Sequence, residues 1–253
     1  MPTDRQPLRS RVLAGETLLG LWLDLGSAAS AEIAARAGYD WLAIDLEHGS
    51  GTEAELLGLL HAVEAGGSTP IVRPQSGERL RVGRALDMGA AGIVVPRLNS
   101  AAEAREAVSF LRYPPAGVRG VALRVRGAGV GHDRVGDVNE RILGLVQIES
   151  TGALRDADQI AAIDGVDVLF VGPTDLSHAL GVPGRFQEKA YRDALDRVVA
   201  ACRAHGKAAG VLVYDPAAAR AHIEAGFRFV GIGADAALVA DGAARALAAV
   251  RAT

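Results

Sequence analysis

The chain has 253 residues, a formal net charge of -3, 49% hydrophobic residues and 4% aromatics. That length suits one large core or two small ones, and the near-balanced charge leaves no electrostatic footprint for a nucleic-acid partner. A lone cysteine, Cys202, excludes an internal disulfide and a cysteine-rich zinc site, and core packing is its expected role.

The first twenty residues lack the apolar run of a signal peptide, and no apolar stretch is long enough to span a bilayer. A cytoplasmic protein with no membrane contact is expected. Residues 19–23 (LGLWL) read as the first buried strand and 41–44 (WLAI) as the second, with Gly38 closing the helix between them. Thr52 and Glu55 form a capping box for a helix whose Leu56, Leu57, Leu60 and Val63 share a face and which ends at Gly66-Gly67. Strands follow at 70–73 (PIVR) and 92–95 (GIVV), the second after a helix closed by Gly89. Ser100 and Glu103 form another capping box before a helix reaching about residue 111. Residues 112–141 are rich in Gly, Arg and Val without clear periodicity; so long a connection is usually functional or disordered. It is expected to leave the outer helical ring and return over one end of the fold. Strands resume at 143–148 (LGLVQI), 168–171 (VLFV), 209–213 (AGVLV) and 228–232 (RFVGI). Gly206 and Gly226 close the helices before the last two, and Asp215-Pro216 supplies an N-cap and a first-turn proline.

All eight runs are apolar without alternation, the pattern of parallel strands covered on both faces. Strand, loop, capped helix, glycine, strand, repeated eight times, matches a single-domain (β/α)8 TIM barrel spanning 1–253. A doubly wound sheet is the rival, but the turn Asp24-Leu25-Gly26-Ser27 is not its glycine-rich phosphate loop. Gly231-Ile232-Gly233 resembles a barrel phosphate turn, a weak signal alone.

Barrel enzymes gather their catalytic groups where strands end. Those ends carry Asp45-Leu46-Glu47-His48, Arg73, Arg97, Gln147 with Glu149, and Asp175. Glu149 and Asp175 follow consecutive strands, so their carboxylates could converge on a hard cation such as Mg2+ or Mn2+, or be solvated acids or arginine partners. Arg73 could clamp a carboxylate or an enolate oxygen, or pair with Glu47 or Asp45. His48 is a candidate general base. His178 could reach the site or sit in a first helical turn; His61, His205 and His222 read as surface or packing residues, and His132 lies in the long connection. Only two of the 27 basic residues are lysines. Lys189 lies in a helix and Lys207 precedes the seventh strand, so neither is placed for a Schiff base, and a metal is the available electron sink.

Gly20-Leu21-Trp22-Leu23, Trp41-Leu42-Ala43-Ile44-Asp45-Leu46-Glu47-His48, Val72-Arg73-Pro74, Tyr113-Pro114-Pro115-Ala116-Gly117-Val118-Arg119-Gly120, Val146-Gln147-Ile148-Glu149 and Val171-Gly172-Pro173-Thr174-Asp175-Leu176-Ser177 together resemble the HpcH/HpaI aldolase family, in order and over about residues 18–250. The resemblance implies a class II aldolase that reversibly cleaves a 4-hydroxy-2-oxoacid to pyruvate, or hydroxypyruvate, and an aldehyde. It implies a divalent ion (Mg2+, Mn2+ or Co2+) held by Glu149 and Asp175, with Asp45 behind the metal waters. Arg73 would stabilise the enolate, and His48 would act as base with Asp87 orienting its ring. Gln147, Gly172, Leu212 and the amides of Thr174 and Asp175 would contact the oxoacid. The chain departs from the family pattern at Asp24 and after Gly120, where Arg124 and Arg126 are candidate aldehyde contacts.

Two other functions stand beside the aldolase: an acyl-CoA lyase of the citrate lyase type, and a silent 2-oxoacid-binding subunit. The segment 235–252 is very apolar for a surface helix, and is expected to pack at, or swap across, a subunit interface or to lie on its own barrel. The resemblance implies a homo-oligomer, a hexamer built as a trimer of dimers.

Overall fold

Each of the eight apolar runs forms a strand, and the strands pair in chain order, all parallel, until the last closes on the first. They are β1 (Leu18–Leu23), β2 (Trp41–Asp45), β3 (Thr69–Arg73), β4 (Gly92–Val95), β5 (Leu143–Ile148), β6 (Val168–Val171), β7 (Ala208–Val213) and β8 (Phe227–Ala234). The computed structural model describes residues 6–128 and 135–251, so His132 lies outside the described residues. The helices are α1 (Leu8–Leu13), α2 (Ala28–Arg36), α3 (Glu53–Gly66), α4 (Arg79–Met88), α5 (Ala101–Ser109), α6 (Val135–Arg141), α7 (Thr151–Arg155), α8 (Ala157–Ala161), α9 (Pro173–Ala179), α10 (Lys189–Ala204), α11 (Pro216–Ala225) and α12 (Asp235–Arg251). The expected single-domain (β/α)8 barrel is therefore present.

The continuous apolar runs are explained by two separate cores. Outward-facing strand residues pack on the helical ring, joining Leu42, Ile44, Val72 and Val146 to Leu60, Val82, Ala104 and Val198. Inward-facing ones fill the barrel with Trp22, Trp41, Ala43, Ile71, Val94, Leu145, Phe170 and Phe229. Both tryptophans and two of the five phenylalanines lie in this inner layer. Trp41 stacks on Phe229 with ring centroids 4.3 Å apart, and room for the indole comes from Gly20, where a Cβ would lie 2.0 Å from the ring. Alternating large and absent side chains let eight strands close around a filled interior.

The helix signals hold, with two variations, the first being that Leu57, expected on the packing face of α3, is exposed while Leu59 is buried beside Leu56, Leu60 and Val63. Thr52 and Glu55 form the reciprocal capping box, and Asp215 caps Ala217 N–H ahead of Pro216. Ser100 accepts from Glu103 N–H, but the Glu103 carboxylate reaches the amide of Asn99, one residue earlier than the box requires. Gly38, Gly89, Gly206 and Gly226 all take positive φ. Gly231-Ile232-Gly233 lies inside β8 and forms no strand-to-helix turn.

The described parts of the long connection lie at the N-terminal end of the barrel, opposite the strand ends that carry the charged motifs. Arg112 pairs with Asp164, beside Asp167 at the start of β6; Arg126 bonds Met88 O and Glu64, where α4 and α3 finish. Helix α1 closes the same end: Leu8 and Val12 join the inner core, and Arg9 pairs with Asp167 at 3.0 Å. The last helix behaves differently from the rest. Among the 17 residues of α12, Asp235 is the one buried, and Leu238, Val239 and Leu247 are each more than half exposed.

Candidate active site

The charged motifs converge above the C-terminal strand ends. A cavity of about 380 Å³ there is lined by Trp22, Asp24, Asp45, His48, Arg73, Gln147, Phe170, Gly172, Pro173, Thr174, Asp175, Leu212, Tyr214 and Ala234, so seven of the eight strands or their following loops contribute. A larger cleft, about 640 Å³, opens between the loops after β3 and β4, around Gln75, Arg79, Arg97 and Phe110. It is the shallower of the two. The central cavity is the better site because buried charges face it, and those are costly to maintain without a ligand or partner.

Arg73 is the fixed cation of the cavity. Nε and Nη2 donate to the two carboxylate oxygens of Asp45 at 2.9 and 2.6 Å, and Nη1 lies 3.2 Å from Glu47. Its guanidinium sits 4.5 Å from the Trp22 ring centre. Burial alone would lower the Arg73 pKa, but the Asp45 bonds and the charges of Asp45, Glu47 and Glu149 outweigh it. Asp45 also accepts from the amides of Glu47 and His48. The acid at the end of β2 thus shapes its own loop and locks the arginine of β3, its neighbour in register.

From Arg73 a hydrogen-bonded ladder crosses the mouth. Arg73 Nη1 approaches Gln147 Oε1 at 3.5 Å, and Gln147 Nε2 donates to Glu149 Oε2 at 2.8 Å. The other Glu149 oxygen accepts from Arg97 N–H at 2.6 Å. Arg97 has φ 56°, the single positive φ among described non-glycine residues. That backbone conformation costs on the order of 1–3 kcal/mol and is held where its amide meets the carboxylate. Nothing in the sequence marks residue 97 for this; the strain is visible only once β4 and β5 are side by side. Burial raises the Glu149 carboxyl above its ordinary value against the Arg97 bond, and Glu47 and Asp175 push the same way.

Glu149 is near enough to Asp175 for its charge to be felt, and Glu149 packs against Gly172. A Cβ at Gly172 would lie 2.7 Å from Glu149 Oε2 and 3.2 Å from Gln147 Nε2, so this glycine leaves the carboxylate its space. Two hard oxygen donors, one buried and destabilised by neighbouring acids, fit a divalent cation whose remaining positions go to water and ligand oxygens. Among the described residues no three His, Cys, Asp or Glu side chains cluster as a closed site. At α9 the amides of Thr174 and Asp175 lie in the first turn, with no side-chain cap. Thr174 Oγ1 and Tyr214 Oη are 2.6 Å apart at the rim, and Leu212 and Phe170 supply apolar wall.

His48 is mostly exposed and faces Glu47, with Nε2 to Oε1 at 3.8 Å. Burial raises the Glu47 carboxyl, and Arg73 and His48 oppose it. Within one chain Asp87 does not meet His48. Asp87 lies near the C-terminal end of α4, and helices of this ring finish at the end opposite the mouth; its carboxylate accepts from Arg119 at 2.7 Å. Arg126 is held at that end too, and Arg124 is exposed away from the cavity. His178 bonds Thr174 O within α9, His205 pairs with Asp158, and His222 packs against Phe227. Neither lysine lines the cavity: Lys189 pairs with Asp193, and Lys207 precedes β7. Cys202 is buried in the helix–strand core.

The model of the HpcH/HpaI aldolase/citrate lyase family matches residues 18–242. The chain is 44% identical over 243 residues to a hydroxypyruvate/pyruvate aldolase of Paraburkholderia phytofirmans, covering 93% of this chain and 94% of that one. It is 40% identical over 245 residues to a 2-keto-3-deoxy-L-rhamnonate aldolase of Klebsiella pneumoniae, covering 96% and 92%. The fold superposes with a TM-score of 0.91 and 40% identity on an HpcH/HpaI aldolase/citrate lyase family protein from Burkholderia cenocepacia, covering 96% and 98%.

Proposed function

Because the chain belongs to the HpcH/HpaI aldolase/citrate lyase family, we propose that it is a carbon–carbon lyase, a divalent-metal aldolase that reversibly cleaves a 4-hydroxy-2-oxoacid into pyruvate or hydroxypyruvate and an aldehyde. The observation that carries this reading is the buried ladder from Asp45 through Arg73 and Gln147 to Glu149, which joins a fixed cation of the cavity wall to a buried carboxylate destabilised by its surroundings.

Glu149 and Asp175 would hold Mg2+, Mn2+ or Co2+. When bound, such an ion supplies Lewis-acid polarisation of the 2-oxo group. The remaining work falls to the chain. First-turn amides of Thr174 and Asp175 receive the oxoacid carboxylate, and Gln147 and Gly172 bound its 2-oxo end. Leu212 lies against its carbon chain. His48 takes the proton from the 4-hydroxyl; the C3–C4 bond then breaks, the aldehyde carbonyl forms, and the bonding pair becomes an enolate. Arg73 stabilises that oxyanion from a position set beforehand by Asp45, which needs no reorganisation as charge develops. Protonation at C3 releases pyruvate.

The direct test is a screen of 4-hydroxy-2-oxoacids with coupled pyruvate detection. Cleavage should stop in chelator and return with Mg2+, Mn2+ or Co2+; full turnover in chelator would refute the scheme. An acyl-CoA lyase is less well supported, since Arg73 is the one arginine lining the cavity among the described residues and no lysine lines it to meet CoA phosphates. A silent binding subunit would have no physical need for the costly arrangement of Glu149 and Arg97.

We also assign the protein a homo-oligomeric state, a hexamer of three dimers. The support is α12, which buries one residue of its 17 and leaves Leu238, Val239 and Leu247 facing outward.

A further inference from the structure

Asp24 stands directly after β1 with its side chain toward the central cavity. Its backbone is clamped: the amide donates to Asp235 Oδ1 at 2.7 Å, and the carbonyl accepts from Ser50 N–H at 2.7 Å. Its carboxylate is partly withdrawn from water, yet has no hydrogen-bond or ion-pair partner among the described residues, while Asp45 and Asp235 raise its energy. A carboxylate so placed is stabilised by a hydrogen-bond donor, and the described residues supply none.

The barrel's topology says which part of a substrate meets it. In the ring of eight, β5 is four strands from β1 and β6 three, so Asp24 faces the cavity from the side opposite Glu149 and well across from Asp175. On the aldolase reading proposed above, on which this inference rests, the oxoacid is anchored by C1 and C2 near β5 and β6. C3 and the atoms beyond it then extend toward Asp24 and His48. We infer that Asp24 is a specificity residue which accepts a hydrogen bond from a substrate hydroxyl beyond C2, and that its charge disfavours aldehydes carrying a carboxylate. The hydroxyl has two possible sources: the 3-hydroxyl of a hydroxypyruvate unit, or a hydroxyl on the aldehyde.

The experiment compares wild type, Asp24→Asn and Asp24→Ala in aldol addition with Mn2+. One arm keeps propanal and exchanges pyruvate for hydroxypyruvate; the other keeps pyruvate and exchanges propanal for glyceraldehyde. Succinic semialdehyde with pyruvate reports the charge effect. In one of the two arms, Asp24→Ala should lower kcat/KM for the hydroxylated reactant about tenfold more than for its deoxy counterpart, and that arm identifies the source. Asp24→Asn, which keeps an acceptor oxygen and loses the charge, should lose less there and gain severalfold on succinic semialdehyde. Solvent deuterium exchange into the pyruvate methyl group, which involves no aldehyde, is followed in parallel in wild type. Exchange with unchanged selectivity in both variants would overturn the role of Asp24 alone. Absence of exchange in the wild type would overturn the aldolase reading and this inference with it.

Discussion

Arg73 illustrates how a single residue serves both stability and chemistry. Its planar fork matches the Asp45 carboxylate and still leaves Nη1 facing Gln147 and the cavity, a geometry lysine cannot reproduce. Arg73→Lys should therefore lower kcat by about 100-fold or more, the usual loss for an oxyanion donor. It should also destabilise the fold by up to about 3 kcal/mol, because Asp45 and Glu47 are left poorly compensated. Pyruvate release and urea unfolding measure the two effects, and wild-type values for both would contradict the assignment. Asp24 gives a pH-dependent counterpart. Burial, with Asp45 and Asp235 nearby, raises its carboxyl from 3.8 to about 6, so the folded chain holds this proton more tightly than the unfolded one. The group's stabilising contribution is full below about pH 4 and is lost as pH rises through about 6. In chelator, Asp24→Asn should be more stable than wild type at pH 7.5 by on the order of 1–2 kcal/mol, the partial exposure of the side chain reducing the effect, and the difference should be much smaller at pH 4. Urea unfolding at both pH values checks this; a gap that stays constant with pH would contradict it.

At the scale of elements, neighbouring strands must bring together groups far apart in sequence, and the glycines between them decide whether they fit. Gly172→Ala should leave the barrel folded and reduce turnover by at least tenfold, because the new methyl would occupy space now held by Glu149 and Gln147. Circular dichroism and the pyruvate assay separate the outcomes; full activity would mean that Glu149 need not sit where it does. The strands and most helix ends were legible in the sequence because burial on both faces and capping chemistry are local signals. So was the group of Asp45, His48, Arg73, Gln147, Glu149 and Asp175, since strand ends of a parallel barrel all open on one side. The strained Arg97 amide and the approach of Glu47 to His48 depend on how adjacent loops settle, which no local pattern encodes, whereas the pairing of Arg73 with Asp45 or Glu47 was open to the sequence and the structure makes both. Asp87 sits apart from His48 within one chain for a related reason: its position near the end of α4 sends it to the far end of the ring, where it pairs with Arg119.

At the scale of the molecule, the described residues close the barrel below, with α1 seated on the inner core, and leave the cavity open above at the C-terminal strand ends. Helix α12 is the element that its own barrel does not satisfy. Changing Leu238 and Leu247 together to Glu should shift the protein from oligomer to smaller species in light scattering coupled to size-exclusion chromatography. An unchanged mass would remove α12 from the interface.

The claim beneath all of this is that Glu149 and Asp175 jointly hold a divalent cation on which a 2-oxoacid can settle. Electron paramagnetic resonance titration of Mn2+ into the full chain, with and without pyruvate, tests it most directly. One Mn2+ per chain is predicted, bound more tightly with pyruvate and lost in Glu149→Gln. Mn2+ binding that ignores both pyruvate and the substitution would contradict it.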